Sequence, residues 1–438
     1  MSKPSLSVAQ ALDRLLATIY PLSKEQVPLL HCLGRVLAQD VVAMTDLPPF
    51  SNSAMDGYAV RAADVIHASS ERPVTLTVVG DDTVKKETLR LLGSGEAMPI
   101  MTGGPLPPGS DAVLPVEFTS DASAMVGRAL PDRIEVLEPV VPGDYLREVG
   151  QDVRRGTLVL QDGHRLRPQD ISMMAALGIS NPSVYRRPMV AILSTGDELL
   201  EIGEPLIPGH LRDANSYGLA AAVQAAGAVA LRLGIAVDQV EAVVERLDHA
   251  VEAGVDLIIS SAGVSMGAFD FVRSALEAHG ELTFWRVNLR PGKPIVSGSY
   301  RGVPFLGLPG NPVSALVTFQ LFVYPVIARL SGSRGAEPLK LMVRVDHALQ
   351  SDGRESYLRA KVRWEDGEYR ARLTGSQDSG VLSSLVAANA LLVVPADVET
   401  VTAGEILEAI LLGSICHWVG LGEGLCGADA IEIDPDEG

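Results

Sequence analysis

Apolar positions recur with two different periods along the chain, and the switches between them mark its parts. Val8, Leu12, Leu15, Leu16 and Ile19 keep the spacing of one helical face, and Ser7 followed by Gln10 fits a capping box, which predicts a helix over residues 7–20. Residues 27–43 read as extended, a strand pair or an extended run. From 46 to 145, short apolar runs at 73–80, 111–118 and 133–140 are punctuated by proline and glycine, with loops at 46–50 and 103–109, the pattern of a β-rich unit. Residues 144–155 continue as an extended or helical piece. A helix is predicted over 168–177, with Pro168 suited to the first helical position.

From 188 the rhythm becomes strand then helix. Runs at 190–194, 229–237, 256–260, 282–287, 295–299 and 303–308 read as strands, and 216–226, 239–253, 268–279 and 312–330 as helices. Alternation on this spacing predicts a mostly parallel sheet with helices on both faces. After Ser331-Gly332-Ser333 the β period returns at 339–347, 357–364, 369–373 and 391–394, with Glu365-Asp366-Gly367 as a hairpin turn. Residues 421–438 hold six acidic groups and no basic one and read as a disordered tail. The fold class is therefore α/β and multidomain, as 438 residues exceed one ordinary core.

Charge changes the picture more than composition does. The net charge is −18, which argues against nucleic-acid binding, so an anionic ligand needs a local cationic pocket or a bridging metal. Cys32, Cys416 and Cys426 are too few for a disulfide framework. No apolar run reaches the roughly 18 residues of a membrane span and no signal-peptide order opens the chain, so a cytoplasmic protein is expected.

In an open parallel sheet, ligands bind beyond the carboxyl ends of the strands. Three loops fall there: Ser194-Thr195-Gly196-Asp197-Glu198, then 260–267 with Gly263, Ser265 and Gly267, then Leu308-Pro309-Gly310-Asn311-Pro312-Val313-Ser314. Small residues let backbone N–H groups approach a phosphate, and Asn311 can cap the helix that Pro312 begins. Taken singly each loop reads as a tight turn; three on one sheet edge point to a phosphorylated ligand. Arg290-Pro291-Gly292-Lys293-Pro294 places two cations around a stiff turn. Asp197, Glu198, Asp238 and Asp270 lie at or near strand ends, where carboxylates could hold Mg²⁺ against phosphate oxygens. Asp56 lies in the β-rich insert.

The motifs together resemble the molybdopterin molybdenumtransferase family, which includes the bacterial molybdenum-insertion enzyme and the C-terminal domain of gephyrin. The matching stretches are PPFSNSAMDGYAVR (48–61), IMTGGPLPPGSDAVLPVE (100–117), REVGQDVRRG (147–156), VAILSTGDEL (190–199), DANSYGLAA (213–221), DLIISSAGVSMGAFD (256–270), LRPGKP (289–294), FLGLPGNPVSALVTF (305–319) and SQDSGVLSSLVAANALLVVP (376–395).

The resemblance implies an elongated N-terminal domain (1–45 with 146–186), an inserted β-rich domain (46–145), an α/β molybdopterin-binding domain (187–331), a C-terminal β-barrel-like domain (332–412) and the acidic tail (413–438). It implies a homodimer with a cleft shared between subunits. The implied reaction inserts molybdate into adenylylated molybdopterin with Mg²⁺ and release of AMP, downstream of a molybdopterin adenylyltransferase. Asp56, Asp152, Glu198, Asp238 and Asp270 match acidic positions tied to activity, with Glu198 and Asp270 as metal ligands. Thr102 matches a polar position of the insert. Lys293 and Pro294, with Arg359 and Ser379, resemble the molybdate pocket. Two positions depart from the family pattern: Arg290 stands where lysine is common, and Ala262 where a glycine pair begins. Two alternatives remain: a gephyrin-like scaffold binding a partner peptide near the C-terminal domain, or a related adenylyltransferase or nucleotide hydrolase on the same α/β domain.

Overall fold

The computed structural model describes residues 5–80, 90–120, 131–261, 271–335 and 338–413. The tail from 414, with Cys416 and Cys426, lies outside them. Helix α1 (Val8–Leu16) carries the expected capping box: Gln10 N–H donates to Ser7 Oγ at 3.1 Å, and Ser7 N–H to Gln10 Oε1 at 3.2 Å. Its buried face, Val8, Ala11 and Leu15, joins the hydrophobic core of the α/β layer. Residues 27–43 do not pair with each other. A 3₁₀ turn at Leu29–His31 separates two short strands, Lys24–Gln26 and Val41–Val42, whose partners are Ser183–Tyr185 and Leu158–Leu160. Both partners follow the insert in sequence, so a local period cannot reveal the pairing.

The insert is a five-stranded sheet of β1 (Gly57–Val60), β2 (Val74–Val78), β3 (Glu96–Ile100), β4 (Ala112–Pro115) and β5 (Arg133–Val136), in the order β4-β1-β3-β2-β5. Tyr58, Val60, Leu76, Leu114 and Ile134 fill its core. Helix α2 (Pro168–Ala176) begins with Pro168 and buries Asp170, whose carboxylate accepts from Arg167 N–H and Nε–H and meets His164 Nε2 at 2.8 Å.

The α/β layer runs β6 (Met189–Thr195), α3 (Ala214–Ala225), β7 (Val229–Ala236), α4 (Val240–Glu252), β8 (Leu257–Ser261), α5 (Phe271–His279), β9 (Gly280–Arg286), β10 (Pro294–Tyr300), β11 (Val303–Leu308) and α6 (Pro312–Leu330). Its sheet order is β7-β6-β8-β11-β10-β9; the first four strands are mutually parallel, and β10 runs antiparallel to both neighbours. Alternation decides which face each strand residue serves. Val190, Ile192, Leu257, Ile259, Leu306 and Leu308 pack on one side with α1, α3 and α6, while Ala191, Leu193, Ile258 and Phe305 pack on the other with α4 and α5. Burying each large aliphatic contributes about 1.5–3 kcal/mol. Helix α6 is, among the described residues, the one helix long and apolar enough to cross a membrane, although Gln320 and Arg329 interrupt its apolar run. It is a core helix, with 72% of that window buried inside the fold.

The last unit is a closed barrel of β12 (Lys340–Val345), β13 (Glu355–Glu365), β14 (Glu368–Leu373), β15 (Ala390–Val394) and β16 (Ile406–Leu411), in the order β13-β14-β12-β16-β15 with β15 returning to β13. Asp366 and Gly367 turn between β13 and β14 with φ of 52° and 82°, the sign a two-residue hairpin requires. Leu289–Arg290 adds to β13 in parallel and stitches the α/β layer to the barrel.

Candidate active site

Strands β6, β8 and β11 are neighbours, so the ends of three loops share one edge of the sheet. Ser194 and Thr195, at the end of β6, are buried. Gly196 then takes φ of +143°, and a Cβ there would lie 2.6 Å from Glu198 Oε2. Only glycine lets the Glu198 carboxylate fold back under the turn. Asp197 Oδ1 accepts from Asp238 N–H at 3.0 Å. Burial, then the nearby charges of Asp197 and Glu198, push the Asp238 carboxyl above its ordinary range. Among the described residues no group of three or more His, Cys, Asp or Glu side chains is arranged to hold a metal ion. Residues 262–270, with Ala262, Gly263, Ser265, Gly267 and Asp270, lie outside the described residues.

The third loop meets the barrel. Pro309 is buried, Gly310 and Asn311 are exposed, and Pro312 opens α6. Asn311 sits at the cap position, but its side chain makes no capping bond. Its Nδ2 instead donates to Ser379 Oγ at 2.7 Å, and Val313 N–H donates to Ser379 O at 3.3 Å. The expected cap is thus a tie between domains: the helix already has Pro at its first position, which has no N–H to satisfy.

Arg359, on β13, is 1% exposed. Its Nε donates to Ser384 Oγ at 3.2 Å, and its Nη2 to the carbonyls of Ser376 at 3.2 Å and Asp378 at 3.0 Å, so it organises the 376–380 loop that bears Ser379. Burial, then the charge of Arg290, lower its pKa. Arg290 in turn lies 3.7 Å from Asp352. Gly292 has φ of +108°, and a Cβ there would meet Thr318 Cγ2 at 2.5 Å and Pro309 Cγ at 3.8 Å, which seats the 290–293 turn on the third loop. Lys293 is exposed and has no ion pair among the described residues. Pro294 opens β10.

The insert holds a separate group. Asp56 Oδ1 accepts from Thr102 N–H at 2.7 Å and from Thr102 Oγ at 2.8 Å, and both residues are exposed. The backbone bond first, and the hydroxyl second, hold the Asp56 carboxyl below its usual range. Asp152 is exposed, and its N–H donates to Leu47 O at 2.9 Å. Among the described residues these three share no hydrogen bond or ion pair with the α/β loops.

Two residues escaped the sequence reading. Asp213 and Asn215 belong to the first turn of α3, which starts at Ala214 rather than 216 because Asp213 caps it. The signal was present, since an aspartate three residues before a serine at a helix start is a capping pattern.

A family model described as MoeA N-terminal region (domain I and II) matches residues 6–178, one described as a probable molybdopterin binding domain matches 191–329, and one described as MoeA C-terminal region (domain IV) matches 343–412. The chain is 39% identical over 388 residues to a molybdopterin molybdenumtransferase of Nostoc sp., covering 87% of each protein. It is 34% identical over 406 residues to that of Haemophilus influenzae, covering 91% of this chain and 97% of the relative. A crystal structure of a molybdopterin biosynthesis moeA protein from Pyrococcus horikoshii superposes with a TM-score of 0.75 at 32% identity, covering 93% of this chain and 100% of that one.

Proposed function

The chain belongs to the MoeA-type molybdopterin molybdenumtransferase family, transferases of molybdenum cofactor biosynthesis, and on that premise we propose that it places molybdate on adenylylated molybdopterin and releases AMP, with Mg²⁺, as a cytoplasmic homodimer supplied by a molybdopterin adenylyltransferase. One juxtaposition supports this most. In a chain of net charge −18, Arg290 acts on Arg359, whose loop carries Ser379 to Asn311, and the turn that leads to Lys293 packs against Pro309 and Thr318.

That seam suits a tetrahedral oxyanion such as molybdate. Ser379 Oγ accepts from Asn311 and keeps its own proton to donate. Arg359 commits Nε and Nη2 to the protein, and its Nη1 carries no hydrogen bond among the described residues. Arg290 and Lys293 add charge, with Pro294 fixing the turn's exit. The loops at 194–197, 263–267 and 309–312 are suited to the pterin phosphate and the nucleotide through backbone N–H groups.

Asp197, Glu198 and Asp238 bring like charges together at one strand end but by themselves do not form a metal site among the described residues. Glu198 with Asp270 would hold Mg²⁺, which when bound neutralises phosphate oxygens. Asp238, with its raised pKa, is suited to take a proton from the attacking water. Asp56 and Thr102 from the partner subunit's insert, with Asp152 from its N-terminal domain, would complete the cleft.

The test is AMP release by the purified protein given adenylylated molybdopterin, molybdate and Mg²⁺. Chelation should stop it and added Mg²⁺ restore it. Lys293→Ala should raise the molybdate requirement by about tenfold while nucleotide affinity holds. Release that ignores molybdate, or equal loss of both affinities, would overturn the assignment.

A further inference from the structure

The first turn of α3 reaches across the carboxyl edge of the sheet. Asp213 is 1% exposed, and its Oδ1 accepts from Ser216 N–H at 3.0 Å and from Ser194 Oγ at 3.0 Å. Ser194 Oγ lies 3.1 Å from Ser261 Oγ at the end of β8. Two residues on, Asn215 Nδ2 donates to Gly310 O at 2.7 Å. One helical turn therefore connects the ends of β6, β8 and β11, the three strands that launch the substrate loops.

Helix capping alone does not call for this carboxylate. Serine or asparagine caps as well, without burying a charge. The Asp213 Oδ2 atom is buried with no hydrogen bond, and its nearest cation, Arg232 Nη2, stands 3.8 Å away. Arg232 is itself held by Ser216 Oγ at 2.8 Å and by Glu201 at 3.0 and 3.1 Å, and its guanidinium lies 3.7 Å from the Tyr217 ring. Leu199–Leu200 pairs with Leu211–Arg212, which brings the chain back from the first loop directly into Asp213. A buried charge with one free oxygen is a poor stability device and a good registering device, because its directional bonds reach across strands.

We propose that Asp213 and Asn215 form a latch that sets the mutual spacing of the ends of β6, β8 and β11, making both positioning residues of the transfer reaction. The proposal rests on the reading above only in supposing that the loops beyond these ends hold the pterin nucleotide. Neither residue touches the reacting atoms. Asp213 acts through Ser194 and Ser261, and Asn215 through the Gly310 carbonyl.

The full-length protein tests this with two readouts. In Asn215→Ala, amide hydrogen exchange in peptides spanning 307–313 should speed up by about tenfold, with exchange inside β6, β8 and β11 unchanged and thermal stability near that of the parent. KM for adenylylated molybdopterin should rise by about tenfold while kcat stays within about twofold. Asp213→Asn should do the same at 193–199; if it does not fold, Asn215→Ala decides alone. Exchange at the parental rate in Asn215→Ala would overturn the latch, and so would a fall in kcat at constant KM. If the parent protein itself releases no AMP, the proposed reaction fails, and the exchange comparison still decides the latch.

Discussion

The seam between the α/β layer and the barrel and the tip of the insert both carry hydrogen-bonded polar side chains in groups, yet they are built in opposite ways. At the seam the anchor is buried: Arg359 donates to Ser384 Oγ and to the carbonyls of Ser376 and Asp378, and the loop it holds brings Ser379 to Asn311, while Lys293 has no ion pair among the described residues. At the insert, Asp56 and Thr102 back only each other and face solvent. Buried bonds fix geometry because nothing replaces them when broken, whereas exposed bonds trade with water. The seam is thus a finished half-site, and the insert tip is a surface ready to be completed.

The largest expected break of this contrast is Arg359→Met. It removes three donors from a buried loop and should destabilise the barrel by about 3–5 kcal/mol, read as an earlier thermal transition. Asp170→Asn comes next. Asp170 is a buried acid far from either group, pushed up by burial but held at about 2 by its bonds to Arg167 and His164, which outweigh it. A folded value lowered from 3.8 contributes stability above about pH 4 that is lost as pH falls through about 2. The variant should lose about 2 kcal/mol in urea unfolding at pH 7, with the difference shrinking below pH 4 and KM untouched. Gly196→Ala follows. The new methyl must displace Glu198, so about 1–2 kcal/mol of stability and most of the Mg²⁺ response should go together.

The seam was legible in part: Gly196, Lys293 and Asn311 lie in short motifs at strand ends, whereas Ser379 entered only through the family resemblance. What the motifs could not show was direction. Asn311 reads locally as a cap, and only the arrival of Ser379 from 68 positions away redirects it. Asp213 carries a local capping signal, but its bond to Ser194 joins two elements 19 positions apart and has no local pattern. The 27–43 region failed for the same reason, since both strand partners lie beyond the insert. Periodicity recovered the α/β layer well, because three of its parallel strands are buried on both faces and leave continuous apolar runs.

The smallest effect on stability and the sharpest test of the contrast come from Asp56→Ala. Thr102 N–H and Oγ would turn to water, so stability should move by no more than about 0.5 kcal/mol. The Thr102 N–H bond, then its hydroxyl, keep Asp56 ionised below the ordinary carboxylate range, so this group's contribution is present above that range and is lost only as pH falls beneath it. Turnover should nevertheless fall steeply at pH 7. If the insert completes the partner's seam, Asp56→Ala and Lys293→Ala damage opposite sides of one cleft. Mixed and allowed to exchange subunits, half of the dimers become hybrids, and each hybrid carries one cleft with both residues intact. The mixture should then recover about a quarter of the parental AMP release although each variant alone is nearly silent. Recovery to zero would place Asp56 and Lys293 in the same cleft from one chain, and the insert would have to reach its own seam.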